Sequence, residues 1–289
     1  MDRLTRLESV RVVLSLGDSM DIRLVTIGAD PEVFFSRGDE AESAEGKVGG
    51  EKHEPLPVSD NICILEDNVA AEFTISPSAD LRNFASKIKE GLSIVNTIAE
   101  AHSCGLLKSA SAEFSKKQLA TPQARTFGCD PDFDAYSGAL TQPAHSSNKN
   151  MRSAGGHLHL GLEPLKKMTF KTVRDIVSLL DTYLGIPFFV AAPDYHRKKL
   201  YGNIGAFRPK PYGLEYRTLP NTWIFNDALV EWVYNKTNEA VKEANKPRNQ
   251  SRWDQQAGLA ASFAWVSEDV VTKIARDFVD TWKLELPPV

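Results

Sequence analysis

The sequence predicts one α+β domain, spanning residues 1–289, built on a curved, mainly antiparallel sheet. Three observations predict it. Strand and helix patterns alternate, but the strands are well separated and often followed by long loops. No glycine-rich strand–turn–helix nucleotide motif is present. No Gly/Ser linker, internal repeat or low-complexity tract divides the 289 residues, a length that large single sheets reach.

The elements follow in order. Val10–Leu16 and Ile22–Phe35 read as strands, and the polar stretch Ser36–Asp60 as a long loop. Asn61–Ile75 reads as one strand. Within Asp80–His102, Leu81, Phe84, Ile88, Leu92, Val95 and Ile98 recur at helical spacing, with Asp80 or Ser78 available as a cap. Leu106–Phe114 is a short strand candidate, and Thr121–Lys149 is loop-like. Gly155–Leu162 is a strand, and Phe170–Ala191 a long helix. Ala192–Tyr212 is a basic, Gly/Pro-bearing loop, and Gly213–Leu219 a strand. The remainder, about 226–289, is helical: Asn226–Asn245 ends before Pro247, and Glu268–Trp282 starts after Ser267 as its cap.

Composition excludes several classes. Hydrophobic residues at 42% and charged residues at 25% describe a folded globular chain rather than a disordered one. Lys and Arg number 34 against 38 Asp and Glu, so a stable grip on nucleic acid is not expected. No apolar run approaches the roughly 20 residues of a membrane helix. The first 21 residues scatter charges where a signal peptide has its apolar core. Three cysteines are too few for a disulfide framework or a cysteine zinc site. These features point to a cytoplasmic protein that does not meet a membrane.

The chemistry lies in polar pairs at i, i+2, which put both side chains on one strand face. Asp30 and Glu32 stand in GADPEVFF. Glu66, Asn68 and Glu72 share sequence parity in ILEDNVAAEF, with Asp67 on the opposite parity unless a bulge intervenes. His157 and His159 stand in SAGGHLHLG, and Glu215 and Arg217 in GLEYRTLPN. Each pair alone is compatible with a solvated strand face, structural histidines or a surface ion pair. Together they crowd carboxylates that need cations, and carboxylates with an imidazole suit Mg²⁺ or Mn²⁺. Divalent ions beside arginines are equipment for nucleotide phosphates. The segment YHRKKLYGNIGAFRPKPY supplies Arg197, Lys198, Lys199, Arg208 and Lys210, and its Gly202 and Gly205 allow close approach to an anion. Lys47 and Lys52 in KVGGEKHEP form a weaker anion-binding candidate.

The same motifs resemble a family. GADPEVFF, SAGGHLHLG and GLEYRTLPN are similar, in the same order, to segments of glutamine synthetases, with Asp30 replacing a glutamate. The closer resemblance is to the phage-associated phiEco32-like carboxylate–amine ligases of type 2, in the glutamine synthetase/glutamate–cysteine ligase superfamily. It extends to GGEKHEPLPV, EDNVAAEFTISPS, FGCDPDFDAYSG and YGNIGAFRPKPYGLEYRTLPN, covering about residues 25–225.

The resemblance implies a glutamine synthetase-like sheet around the active site, with helices on its outer face. It implies ATP as a substrate and two or three Mg²⁺ or Mn²⁺ ions. Asp30, His157 and Glu215 would hold the ion near the ATP phosphates, and Glu32 and Glu72 the ion nearer an acyl phosphate. Arg208 and Arg217 would stabilise the transferred phosphoryl. His159, Arg197, Lys199 and Lys52 would bind ATP or its phosphates. Glu66, Asn68, Asp130 and Asp132 would meet substrate, although Asp130, Asp132 and Asp134 also read as a polar turn with Asx caps. The implied reaction joins a small-molecule or peptide carboxylate, or a modified nucleobase, to an amine. The rival readings are a guanidino kinase-like phosphotransferase, a metal-dependent hydrolase and a non-catalytic phage binding protein. Oligomerisation is open.

Overall fold

The computed structural model describes residues 21–126, 131–141, 148–263 and 265–289, with Lys199 described by its backbone alone. The strand expected over Val10–Leu16 lies outside the described residues. Along the chain, β1 (Arg23–Arg37) is followed by β2 (Glu40–Glu42), β3 (Leu56–Pro57), β4 (Ile62–Asp67) and β5 (Ala70–Ser78). Helix α1 (Leu81–Ala101) leads to β6 (Gly105–Leu107), β7 (Ser111–Glu113), the short α2 (Pro122–Arg125) and β8 (Phe133–Asp134). Then come β9 (Met151–Ser153), β10 (Gly156–Glu163) and α3 (Phe170–Leu180), which runs through a π-helical turn, Asp181–Gly185, into α4 (Ile186–Ala191). Helix α5 (Tyr195–Leu200), β11 (Ala206–Lys210) and β12 (Gly213–Tyr216) precede α6 (Asp227–Glu243), α7 (Gln250–Ser262) and α8 (Glu268–Trp282).

The main sheet runs β3-β4-β5-β1-β10-β12-β11-β8, with β2 and β6 also paired to β1. Every strand pairing among the described residues is antiparallel. Side-chain alternation makes the sheet two-faced. On β10, Leu158, Leu160 and Leu162 are buried in the main core, while His157 and His159 point to the other side. On β12, Leu214 and Tyr216 join that core and Glu215 opposes it. Helices α1, α3 and α6 cover the apolar face. Each fully buried leucine contributes about 1.5–3 kcal/mol, and Leu160→Ala would cost about 2–5 kcal/mol.

Local signals account for the helices. In α1, Phe84, Ile88, Val95 and Ala99 form the buried stripe, and Asp80 caps the start by accepting from the Asn83 N–H at 2.9 Å. Thr169 caps α3 and Asn226 caps α6 in the same way. Helices α7 and α8 pack with α4 in a second core containing Phe189, Leu259, Phe263 and Phe278.

Three expectations are corrected and one is refined. Asn61–Ile75 is a hairpin rather than one strand, because Asn68 takes a left-handed conformation (φ 58°) and reverses the chain. The basic stretch Ala192–Tyr212 holds α5 and β11; Asp194 caps α5 by accepting from the Arg197 N–H, and Phe207 is buried. Within the expected helical part, Gln250–Ser262 forms a further helix, capped by Asn249, that the sequence pattern did not delimit. Ser267 precedes α8 as expected, but its side chain makes no capping hydrogen bond.

Candidate active site

The polar face of the sheet brings the paired residues together by register. Asp30 lies opposite His157, and Glu32 opposite Glu72. His159 lies opposite Glu215, and Glu215 opposite Arg208. Five strands thus present one polar surface, as the i, i+2 spacing requires. Two groups of ligand atoms form on it: Asp30, His157 and Glu215, and separately Glu32, Asp67 and Glu72. Within each group the candidate atoms all lie within 4.8 Å of one another.

Sequence parity set Asp67 apart from Glu72 unless a bulge intervened and left Glu66, Asp67 and Asn68 open as the group beside Glu72; the hairpin brings Asp67 there without a bulge. Its register pairs Leu65 with Glu72 and Asp67 with Ala70. Each pair of numbers sums to an odd value, so residues on one face of the hairpin differ in sequence parity. Asp67 therefore shares a face with Glu72, while Glu66 turns to the other side. There the Glu66 carboxylate accepts from the backbone N–H groups of Gly46, Val48 and Gly49 at 3.0–3.1 Å, which pins the preceding loop. The signal in the sequence was Asp-Asn inside an apolar run, a turn marker.

In the first group, Asp30 lies 3.5 Å from His157 Nδ1 and 2.9 Å from His159 Nε2. Burial disfavours its charge, but the two imidazoles prevail and hold its carboxyl well below the usual carboxylate range. Burial is likewise the largest influence on Glu215 and opposes its charge; Arg217, His157 and His159 together outweigh it and bring the pKa to about 2. His159 is raised by Asp30 against its own burial, and its Nδ1 meets the Tyr212 hydroxyl at 2.5 Å. The second group behaves oppositely. Burial first, then the Glu32 charge, pushes Asp67 up to about 6, and Glu72 rises well above the ordinary range through burial and the charges of Asp30, Asp67 and Glu32. Glu32 accepts from the Gly155 N–H at 2.6 Å.

The arginines bridge the groups. Arg217 Nη1 donates to Glu215 and lies 3.2 Å from His157 Nδ1, and its Nε is 2.7 Å from Asp132. Arg208 Nε is 3.2 Å from the same Asp132 oxygen. Asp132, expected at substrate, is placed as the shared counter-ion of both arginines. Asp134 accepts from the Tyr136 N–H and the Ser137 hydroxyl, the Asx turn. Asp130 lies outside the described residues, as does the Lys199 side chain.

Arg197 and Lys198 are buried against backbone carbonyls. Arg197 is 1% exposed and donates to the carbonyls of Arg217 and Leu219, and Lys198 to those of Gly202 and Thr218. Lys52 is exposed and acts on Asp67 by charge alone. Asn68 sits in the hairpin turn and donates to Asp67. Beside Glu32 and Asp67 opens a cavity walled by Arg152, Ser153, Arg197, Tyr201 and Arg217.

The residues fit divalent cations. The donor set is carboxylate oxygen with one imidazole. Asp30 Oδ1 is buried without a hydrogen-bond partner, and the second group holds carboxylates that repel one another.

Residues 140–281 match the phage phiEco32-like COOH·NH2 ligase-type 2 family. The resemblance read from the motifs is borne out over this stretch, which carries His157, His159, Arg208, Glu215 and Arg217. The acidic residues of β1, β4 and β5 lie before the matched region of the ligase family, and the sheet register is what joins them to it. Among solved structures, the chain is similar to a bifunctional glutathione synthetase from Pasteurella multocida (10% identity, TM-score 0.47, 91% of this chain and 45% of that one). It is also similar to ligand-free GmaS (13% identity, TM-score 0.42, 93% of this chain and 71% of that one). The chain thus spans under half the length of the first of these. No curated protein matches. No helix among the described residues is long and apolar enough to cross a membrane.

Proposed function

We propose that the protein is an ATP-dependent carboxylate–amine ligase that forms an amide through an acyl phosphate. The observation that carries this reading is the pair of acid clusters on one sheet face, with Arg208 and Arg217 anchored beside them by Asp132. Asp30, His157 and Glu215 would hold one Mg²⁺ or Mn²⁺ and Glu32, Asp67 and Glu72 another, and such ions supply charge neutralisation for ATP phosphates. Arg208 and Arg217 bind the transferred phosphoryl; the Asp132 carboxylate pairs with both by charge, at 3.2 and 2.7 Å from their Nε atoms, and holds them beside the site before substrate arrives. His159, oriented by Asp30 and Tyr212, offers a charge near the phosphates.

The substrate carboxylate attacks the γ-phosphorus of ATP, giving an acyl phosphate and ADP. The amine, deprotonated, attacks the acyl carbon and phosphate leaves, so one amide forms per ATP consumed. The cavity beside Glu32 and Asp67 is also walled by Arg152, Arg197 and Arg217, so it offers guanidinium partners to the substrate carboxylate.

An ADP-release screen over a matrix of carboxylates and amines tests the reading, with mass spectrometry of the products. ADP release that requires both substrates, with a new amide mass, supports it. A phosphorylated nitrogen without an amide would assign a guanidino kinase instead. Hydrolysis independent of ATP would assign a hydrolase.

A further inference from the structure

Behind the polar face lies a buried network that the chemistry above does not use. Asp181 is 0% exposed and opens the π-helical turn between α3 and α4. Its Oδ2 accepts from the Tyr136 hydroxyl at 2.7 Å and its Oδ1 from the Tyr216 hydroxyl at 2.8 Å. The Thr218 hydroxyl shares its proton between Asp181 Oδ1 at 3.3 Å and the Asn203 carbonyl at 3.0 Å.

Strand alternation gives the network its meaning. Glu215 and Arg217 face the site, so Tyr216 and Thr218 face the rear. The two residues that anchor the rear are thus interleaved with the two that act in front. Tyr136 belongs to the loop of Asp132, the counter-ion of Arg208 and Arg217. We propose that Asp181 is a positioning residue for the ligase site, fixing the β12 segment from behind through Tyr216 and Thr218 and the Asp132 loop through Tyr136.

The helix is deformed to make this contact. Ile186 donates to the Asp181 carbonyl, one residue beyond the α-helical partner, and the Gly185 N–H acts on the Tyr216 hydroxyl. A Cβ at Gly185 would come within 2.4 Å of that hydroxyl, so glycine is required there. An apolar residue at 181 would avoid the cost of burying a carboxylate. The carboxylate is instead kept with hydroxyl donors from two separate segments, as a tie between them requires. This inference rests on the ligase reading for its activity readout, but not for its geometry.

The test compares wild type with Asp181→Asn, Tyr216→Phe and Tyr136→Phe. Amide hydrogen exchange in the ligand-free protein reads the positioning directly, and steady-state ADP release reads its consequence. Asp181→Asn and Tyr216→Phe should speed exchange over residues 213–219 and lower kcat by about 10-fold or more, with the ATP KM within about threefold, since sub-ångström misplacement of an acting group costs turnover. Tyr136→Phe should add no further loss in an Asp132→Asn background, because it acts through Asp132. Tyr216→Phe and Tyr136→Phe each remove one hydroxyl, so they decide the matter if Asp181→Asn fails to fold. Unchanged exchange over 213–219 in Tyr216→Phe, or a full additive loss in the Asp132→Asn background, overturns the proposal. If wild type releases no ADP with any substrate pair, the ligase reading falls, and the exchange measurement alone still decides whether Asp181 positions this strand.

Discussion

Arg217 is the guanidinium that touches the first acid cluster directly. Its guanidinium donates to Glu215, lies against His157 Nδ1 and is anchored by Asp132. Lysine would keep the charge but lose the fork that reaches three partners at once. Arg217→Lys should therefore lower kcat by about 10²-fold while changing the ATP KM far less, as ADP-release kinetics would read. A raised KM at unchanged kcat would make it a ground-state phosphate binder. Asp67 and Glu66 allow a sharper comparison, because they are neighbours on opposite faces. Asp67→Asn should weaken Mn²⁺ binding, followed by electron paramagnetic resonance, and leave the melting temperature nearly unchanged or raised, since it removes like-charge repulsion. Glu66→Gln should do the reverse: Mn²⁺ binding persists, and the 46–49 loop loosens as its charged acceptor is lost. Equal Mn²⁺ losses in both would mean the hairpin register is wrong.

At the scale of elements, the site is a consequence of register, and register is what sequence shows only in part. The i, i+2 pairs in β1, β10 and β12 were legible because alternation on a single strand is a local property. That Asp30 would meet His157, and Glu32 meet Glu72, could not be read from spacing alone, since it depends on which strands become neighbours. Asp67 could not be chosen over Glu66 and Asn68 because parity was carried across a turn. Helix α5 and β11 escaped because lysines, arginines and glycines resemble a solvated loop until their cations are seen to be buried against carbonyls. Gly155 marks the tightest point of this register. It pairs with Glu32 through both backbone and side chain, and a Cβ there would lie 2.0 Å from His157 Nε2. Gly155→Ala must push the imidazole aside or part β1 from the 155 segment. We expect Mn²⁺ affinity to fall by at least about 10-fold, a cost of roughly 1.4 kcal/mol, in a chain whose circular dichroism is unchanged. An alanine variant with full affinity would show that His157 is not held over this glycine.

For the whole molecule, the site sets a pH dependence whose sign can be worked out. Asp67 is raised to about 6, Glu72 is raised well above the ordinary carboxylate range, and Asp181 on the other face is raised by burial to about 6. An acid whose folded pKa exceeds its unfolded value binds more protons folded than unfolded, so stability falls as pH climbs between the two values. His159 is raised as well; its contribution is present below its unfolded pKa and is lost as pH passes the folded one, the same direction. Asp30 and Glu215 are lowered, so their stabilisation is complete above about pH 4–5 and lost only in stronger acid. Lys198, lowered to about 7, acts in the opposite sense only above neutrality, where its early deprotonation makes stability rise with pH. Between about pH 4.5 and 7 the identified shifts therefore agree, and the metal-free protein should melt at a lower temperature at pH 7 than at pH 5.5. Divalent ions act on this directly, because they bind the ionised carboxylates and stabilise only the fold that gathers them. Thermal melts at both pH values, with EDTA and with excess Mg²⁺, should show the pH 7 deficit in EDTA shrink or reverse with Mg²⁺. A protein that melts higher at pH 7 than at pH 5.5 in EDTA would mean that its acids are not crowded on one face. A deficit that Mg²⁺ leaves untouched would mean that they are crowded for some purpose other than holding cations.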